Sequence, residues 1–329
     1  GQGCRHGLQR PGWPGQVPAD QQPAPPGVRT DGGSPPEEDR IEHIDPMDVV
    51  ITFKGSEGQT AVEYAFALLP EEFGAFRSQT GAYTTLDIDV RLYTPEWEEV
   101  AAAGEEARRI ETVPQVRIRG IPLFVDATRL EVEPGTYILT TMLTDPETGK
   151  RATADEVVEL PDYRGDELMV SNILPAAQIT EVGPGREGRF IRGDLEVLPL
   201  PGRALQADQP LFIYYEVYNL SRDGFGATEY RVDYTIVEAP ESGALMSRLF
   251  QGIENIVTSR NRRSQISSSV TGRGITPDMG SYLEIDLGDL KPETYELLLT
   301  VTDLNTGQSQ TSSLIFRTLP GLGERGRHP

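Results

Sequence analysis

Cysteine occurs once in this chain, at Cys4, so no intramolecular disulfide can form and packing must hold the fold. The three histidines, His6, His43 and His328, all lie in or beside the termini. A Ser-His-Asp or Cys-His site would have to be built from loose segments, so no catalytic residues are expected and the chain reads as a non-enzyme. One cysteine and three scattered histidines give no zinc-ligand spacing, and no metal or cofactor is expected. A Gly-x-x-x-x-Gly-Lys-Ser/Thr loop is missing, as is Gly-x-Gly-x-x-Gly after a strand. No apolar run approaches about 18 residues, so no transmembrane helix is expected, and no signal peptide is recognisable. Cys4 invites a lipoprotein reading, but the preceding Gly-Gln-Gly is a poor lipobox. The first residue, a glycine, suggests processing or a fragment.

Positive charge is scarce. Lysine appears only at Lys54, Lys150 and Lys291, and 30 basic against 51 acidic residues leave a net charge of -21. Such a surface repels phosphate backbones, which argues against nucleic-acid binding and against docking on anionic membranes. Arg260, Arg262 and Arg263 mark an exposed loop, read as a solvated turn rather than a patch for an acidic partner.

What the chain has is a repeat. Residues 134–149 (PGTYILTTMLTDPETG) and 292–307 (PETYELLLTVTDLNTG) agree at eight of sixteen places. The offset of 158 residues is the size of a domain, so one fold used twice is expected. In each copy a strand presents one apolar face, Tyr137, Leu139, Thr141 and Leu143 or Tyr295, Leu297, Leu299 and Val301. Thr-Asp-x-x-Thr-Gly then predicts a turn capped by Asp145 or Asp303, with Gly149 or Gly307 at positive φ. Calcium ligation by these aspartates lacks the Asp-x-Asp-x-Asp-Gly spacing.

Short Val/Ile/Leu/Tyr/Thr runs punctuated by 34 glycines and 26 prolines predict an all-β chain. The expected fold is two tandem immunoglobulin/fibronectin-III-like antiparallel β-sandwiches from an internal duplication. Residues 1–40 form a Pro/Gly-rich arm, 41–160 the first sandwich, 161–176 a linker, 177–319 the second sandwich and 320–329 a tail. The arm should be disordered or polyproline II when free, and Trp13 is its candidate anchor on a partner or a second subunit. Val62, Tyr64, Phe66 and Leu68 alternate with Glu63, Ala65 and Ala67, which predicts one buried and one wet face, as do Leu86, Ile88, Val90 and Leu92. Residues 96–110 (EWEEVAAAGEEARRI) look helical, and Ala244–Val257 has near-helical apolar spacing.

The run 211–218 (LFIYYEVY) departs from this pattern. Leu211, Ile213, Tyr215 and Val217 make a core face, but Phe212, Tyr214 and Tyr218 load the opposite one with aromatics. Something should cover them: the other domain, the 244–257 segment, or a protein or glycan for which they form a platform. Paired carboxylates, Asp87 with Asp89 or Glu241 near Glu254, are the remote hydrolase alternative. Arg-Gly-Asp at 164–166 and 192–194 reads as chance occurrence.

The run 198–220 (LPLPGRALQADQPLFIYYEVYNL), Gly226–Tyr230 (GATEY), and the later Thr-Tyr-x-Leu and Thr-Asp-x-x-Thr-Gly resemble the C-terminal β-rich region of bacterial GWxTD-motif domain-containing proteins. Residues 168–179 (LMVSNILPAAQI) resemble the linker before that region, so the likeness spans roughly 130–318. The naming motif is missing, since Gly12-Trp13 is followed by Pro14-Gly15. The resemblance implies an exported or envelope-associated bacterial protein without catalytic residues. With the composition, it points to an extracytoplasmic structural or assembly protein docking through residues 1–40, and alternatively to a glycan- or peptide-binding module.

Overall fold

The computed structural model describes residues 46–320 except 73–75, 78–80, 119, 207–208, 240–263 and 289. The arm with Trp13 and Cys4, all three histidines, Ala244–Val257, Glu241, Glu254 and Arg260, Arg262 and Arg263 lie outside the described residues. The first half runs β1 (Met47–Lys54), β2 (Thr60–Leu68), β3 (Phe76–Arg77), β4 (Ala82–Tyr93), β5 (Glu99–Ile118), β6 (Ile121–Val132), β7 (Gly135–Thr144) and β8 (Arg151–Leu160). The second runs β9 (Met169–Val170), β10 (Leu174–Glu181), β11 (Ile191–Arg192), β12 (Leu195–Pro199), β13 (Ala204–Gln206) and β14 (Leu211–Tyr218). It continues with β15 (Thr228–Glu238), β16 (Ser264–Gly274), β17 (Met279–Ile285), β18 (Thr294–Asp303) and β19 (Ser309–Leu319). The chain is all-β; among the described residues the only helical pieces are two single 3-10 turns.

The first eight strands make one sheet rolled on itself, in the order β1-β2-β6-β5-β4-β7-β8, with β3 on β4. Strand β5 turns the corner. Its residues 99–111 pair with β4, and residues from Thr112 onward pair with β6. The roll thus has two walls, sheet A (β4, β7, β8) and sheet B (β1, β2, β6), closed over Val62, Tyr64, Phe66, Leu68, Leu86, Ile88, Leu139 and Leu143. This corrects the helical reading of 96–110. Ala, Glu and Arg favour helix, but the ladder Leu92↔Ala101 and Val90↔Ala103 turns alternate small residues inward, and tertiary pairing overrides a preference of a few tenths of a kcal/mol, roughly, per residue.

The second half has two separate sheets. Sheet C runs β11-β12-β10-β14-β17 with β9 on β14, and sheet D runs β13-β19-β18-β15-β16. Between them lie Leu211, Ile213, Tyr215 and Val217 from β14 and Val232, Ile236, Leu297, Leu299, Val301 and Phe316 from sheet D. All pairings are antiparallel except β13 with β19. The order β5-β4-β7-β8 matches β16-β15-β18-β19, and the pair β2-β6 matches β14-β17.

Sheets B and C meet face to face. Val49, Ile51, Phe53, Ala61, Ala65 and Ala127 of sheet B pack on Leu174, Ala176, Leu195, Val197 and Tyr214 of sheet C. The expectation of a wet face on β2 is therefore corrected: Glu63 is 3% exposed and Ala65 fully buried, because a second sheet covers them. Residues 161–176 do not divide the fold into independent cores, since Val116, Leu123 and Val125 join the cluster between sheets C and D. The described residues belong to one compact unit, Ile41–Pro329.

Candidate functional site

Alternation along β14 sends Phe212, Tyr214, Glu216 and Tyr218 toward sheet B. An open aromatic platform on this face is not what the structure holds. Tyr214 is 4% and Tyr218 is 2% exposed. Large rings on one sheet meet alanines on the other, a pairing of large with small side chains that lets the two sheets pack together. Phe53 packs on Tyr214 with ring centroids 6.0 Å apart, and Tyr163 meets Tyr218 edge-on at 5.0 Å.

Buried hydroxyls need partners, and this seam supplies them. Tyr214 donates to Glu216 Oε1 at 2.8 Å and Tyr218 to Oε2 at 2.7 Å, so one carboxylate receives both. Tyr218 in turn accepts from the Lys54 backbone N–H at 2.9 Å, and the Lys54 ammonium pairs with Asp278 at 2.7 Å. Burial raises both phenols well above the ordinary tyrosine range, and the adjacent Glu216 charge raises them further. Burial also pushes Tyr163 and Tyr215 up to about 12. The connecting segment covers the β1 edge: the Thr52 N–H and hydroxyl donate to Asn172 Oδ1, and the Thr52 hydroxyl meets Tyr163 Oη at 2.8 Å.

A short hairpin, β11–β12, lays two arginines across sheet B. Arg192 pairs with buried Glu63, and its guanidinium lies 4.7 Å from the Phe53 ring centroid and 5.5 Å from that of Tyr214. Arg189 binds both oxygens of Asp126 at 2.8 and 2.9 Å and Glu105 at 2.8 Å, and Arg108 reaches Asp126 at 3.1 Å. Burial pushes the Asp126 carboxyl up to about 6, against the pull of the Ala127 N–H and Arg108. The tight turn between β11 and β12 uses Gly193 at φ +62°. The Arg192-Gly193-Asp194 tripeptide thus has its arginine engaged inside the seam.

Two clefts flank this hairpin, with Arg129, Ile191 and Arg192 in both walls. One, of about 450 Å³, is lined by Tyr214, Glu216, Tyr218, Asp194 and Asp278. The other, of about 420 Å³, is lined by Glu63, Glu105 and Arg189. Most of their ionisable groups are already paired, Arg129 with Glu131 at 3.0 Å among them. Such walls suit holding two sheets in register or receiving a polar ligand.

The other sequence-derived residues lie elsewhere. Asp145 accepts from the Glu147 and Thr148 N–H groups at 2.9 and 3.2 Å, and Gly149 follows at φ +71°. Asp303 accepts from Asn305 N–H at 2.8 Å and, across the sheet, from Ser221 N–H at 2.9 Å, with Gly307 at φ +79°. Asp87 accepts from the Ala107 N–H at a β-bulge, and Asp89 pairs with Arg91, so the two serve local structure. Sequence reasoning does not single out Glu216, Arg192 or Glu63. The available signal is one acid between two tyrosines on a face otherwise aromatic. Among the described residues no group of three His, Cys, Asp or Glu side chains could hold a metal ion, and no helix is long and apolar enough to cross a membrane.

No protein-family model and no curated protein sequence matches this chain. Among solved structures, Escherichia coli alpha-2-macroglobulin activated by porcine elastase is similar at 10% identity and a TM-score of 0.23. The match covers 82% of this chain and 23% of that one, so this chain spans less than a quarter of that protein's length.

Proposed function

We propose that the chain is a non-enzymatic structural or assembly subunit: two immunoglobulin-like sandwiches from an internal duplication, stacked through their inner sheets, acting outside the cytoplasm of a bacterium. One observation carries the reading. The aromatic face of β14 joins the two halves, and Glu216, Arg192 and Glu63 fix that junction in a single register. The matching orders β5-β4-β7-β8 and β16-β15-β18-β19 support the duplication, and the resemblance to the β-rich region of GWxTD-motif proteins supports the location. Residues 1–40 supply the docking arm, with Trp13 as anchor.

The test is mass by light scattering on the full chain and on a chain lacking residues 1–40. Self-association that disappears with the arm supports an arm-docked building block; association with the arm removed, or monomers throughout, sinks that mode. A second reading, a binder of glycan or peptide, rests on the cleft beside Tyr214, Glu216 and Tyr218. Array hits lost on Asp194→Ala, an exposed residue of that cleft, with unchanged melting would favour it.

A further inference from the structure

The outer face of sheet A carries an apolar row. Tyr93 of β4, Ile138 of β7 and Val157 of β8 are register neighbours, and they stand on the face opposite the buried Leu92, Leu139 and Val158. Trp97, from the turn between β4 and β5, extends the row, its ring centroid 5.7 Å from that of Tyr93. Trp97 and Val157 are each 58% exposed. The next row on the same face, Arg91, Thr140 and Asp155, is polar.

Trp97 also holds a backbone conformation that favours glycine. Its φ is +65°, in the left-handed region, where its N–H donates to the Thr94 carbonyl at 2.9 Å and the Thr94 N–H donates to the Glu98 carbonyl at 2.8 Å. A large exposed ring set at such a position is local strain of the kind that collects at binding sites. Acids stand at both ends of the row. Glu96 and Glu98 flank Trp97 in the chain, and Asp155 and Glu159 lie two residues to either side of Val157, on its own face of β8. Arg91, in the adjoining row, is held by Asp89 at 2.8 Å and by Glu99 at 2.7 Å.

We propose that this row is the docking surface for a basic segment of another protein, one that sets arginine or lysine beside aliphatic side chains. Charge complementarity chooses the occupant. Aliphatic groups cover Ile138 and Val157, while the cations lie over the electron-rich faces of Trp97 and Tyr93 and against Glu96, Glu98, Asp155 and Glu159. A nucleic acid or an anionic membrane meets the same acids as repulsion. The surface goes beyond the assembly reading above, and it requires neither the arm nor a second copy of the chain.

The experiment titrates the full chain into a short labelled peptide that alternates leucine and arginine, in about 150 mM salt, and reads fluorescence anisotropy. The peptide should bind, and its counterpart with glutamate in place of arginine should not. Trp97→Gly and Val157→Lys should each weaken binding at least about fivefold. Trp97→Gly should melt within about 4 °C of the parent, because glycine is at home at that φ. Leu304→Lys makes the same charge change at an exposed turn of the second half and should alter binding by less than about twofold. An absent interaction, or one that Trp97→Gly and Val157→Lys leave intact, overturns the proposal. A loss in Leu304→Lys equal to that in Val157→Lys also overturns it, since the attraction is then that of the whole acidic surface. Self-association that Trp97→Gly abolishes, without peptide binding, overturns it in favour of a second copy.

Discussion

The hydroxyl of Tyr214 lies over Gly280, which faces Glu216 across the β14–β17 ladder, and from there donates to that glutamate at 2.8 Å. A methyl on Gly280 would occupy the space that the hydroxyl needs. Gly280→Ala should therefore cost about 1–3 kcal/mol, through displacement of a buried ring and loss of a hydrogen bond to a carboxylate. Tyr214→Phe should cost less, about 1–2 kcal/mol, since the ring still fills the seam. Urea denaturation of both variants checks the order. A neutral Gly280→Ala would mean that the ring can leave the glycine without penalty.

Alkali should act on the same seam and on the core between sheets C and D. Tyr163 and Tyr215 are pushed up to about 12 by burial, from an ordinary value of 10.0, and Tyr214 and Tyr218 are raised as well. A phenol whose folded value exceeds its unfolded one holds its proton more tightly in the folded state. Its stabilisation is complete below pH 10 and falls as pH rises from there toward the folded value. Absorbance titration should thus show a late cooperative step in which the buried tyrosines Tyr163, Tyr214, Tyr215 and Tyr218 ionise with unfolding. A single smooth titration of all twelve, complete near pH 10, would contradict the buried seam.

The paired turns allow a comparison within one molecule. Asp145 accepts from two N–H groups of its own turn, and Asp303 accepts from its own turn and from Ser221 N–H of the β14–β15 connection. Burial alone would raise the Asp303 carboxyl, but hydrogen bonds from Ser221 and Asn305 hold it below the usual carboxylate range. Its contribution is present above the unfolded value and is lost as pH falls through the folded one. Asp303→Ala should cost about 2–3 kcal/mol and Asp145→Ala about 1 kcal/mol. Melting of both at pH 7 and at pH 3 tests this. Equal losses at pH 7 would show that the Ser221 contact adds nothing.

Alternation makes the strand faces legible in the sequence. Leu211, Ile213, Tyr215 and Val217 point where period two puts them, and the need for a cover over Phe212, Tyr214 and Tyr218 can be read as well. The identity of the cover cannot, because an alanine face interrupted by Glu63 has the composition of a solvated one. Only the rings opposite make Ala61, Ala65 and Ala127 a floor. Strand β5 is hidden for a related reason. Helix-forming residues are placed in a strand by partners on β4 and β6, and the Ala107–Asp87 bulge leaves no local signature. The charge pairs that cross the seam join Glu63 to Arg192 and Asp126 to Arg189, separations in sequence beyond the reach of any spacing rule.

The Arg192–Glu63 pair gives the sharpest energetic test. Both side chains are buried, and Glu63 Oε1 and Arg192 Nε each lack a hydrogen-bond partner, so the pair's desolvation is incompletely offset. Arg192→Met alone leaves the Glu63 carboxylate buried without its counter-charge and should cost about 3–5 kcal/mol. Adding Glu63→Leu removes the stranded charge, and a thioether beside Phe53 and Tyr214 restores packing, so the double variant should return to within about 1 kcal/mol of the parent. A four-way denaturation cycle measures the coupling. If the double variant is as unstable as Arg192→Met, the ring contacts of the guanidinium rather than its charge pairing hold the hairpin down. The cycle therefore separates the two ways in which one arginine joins sheets B and C.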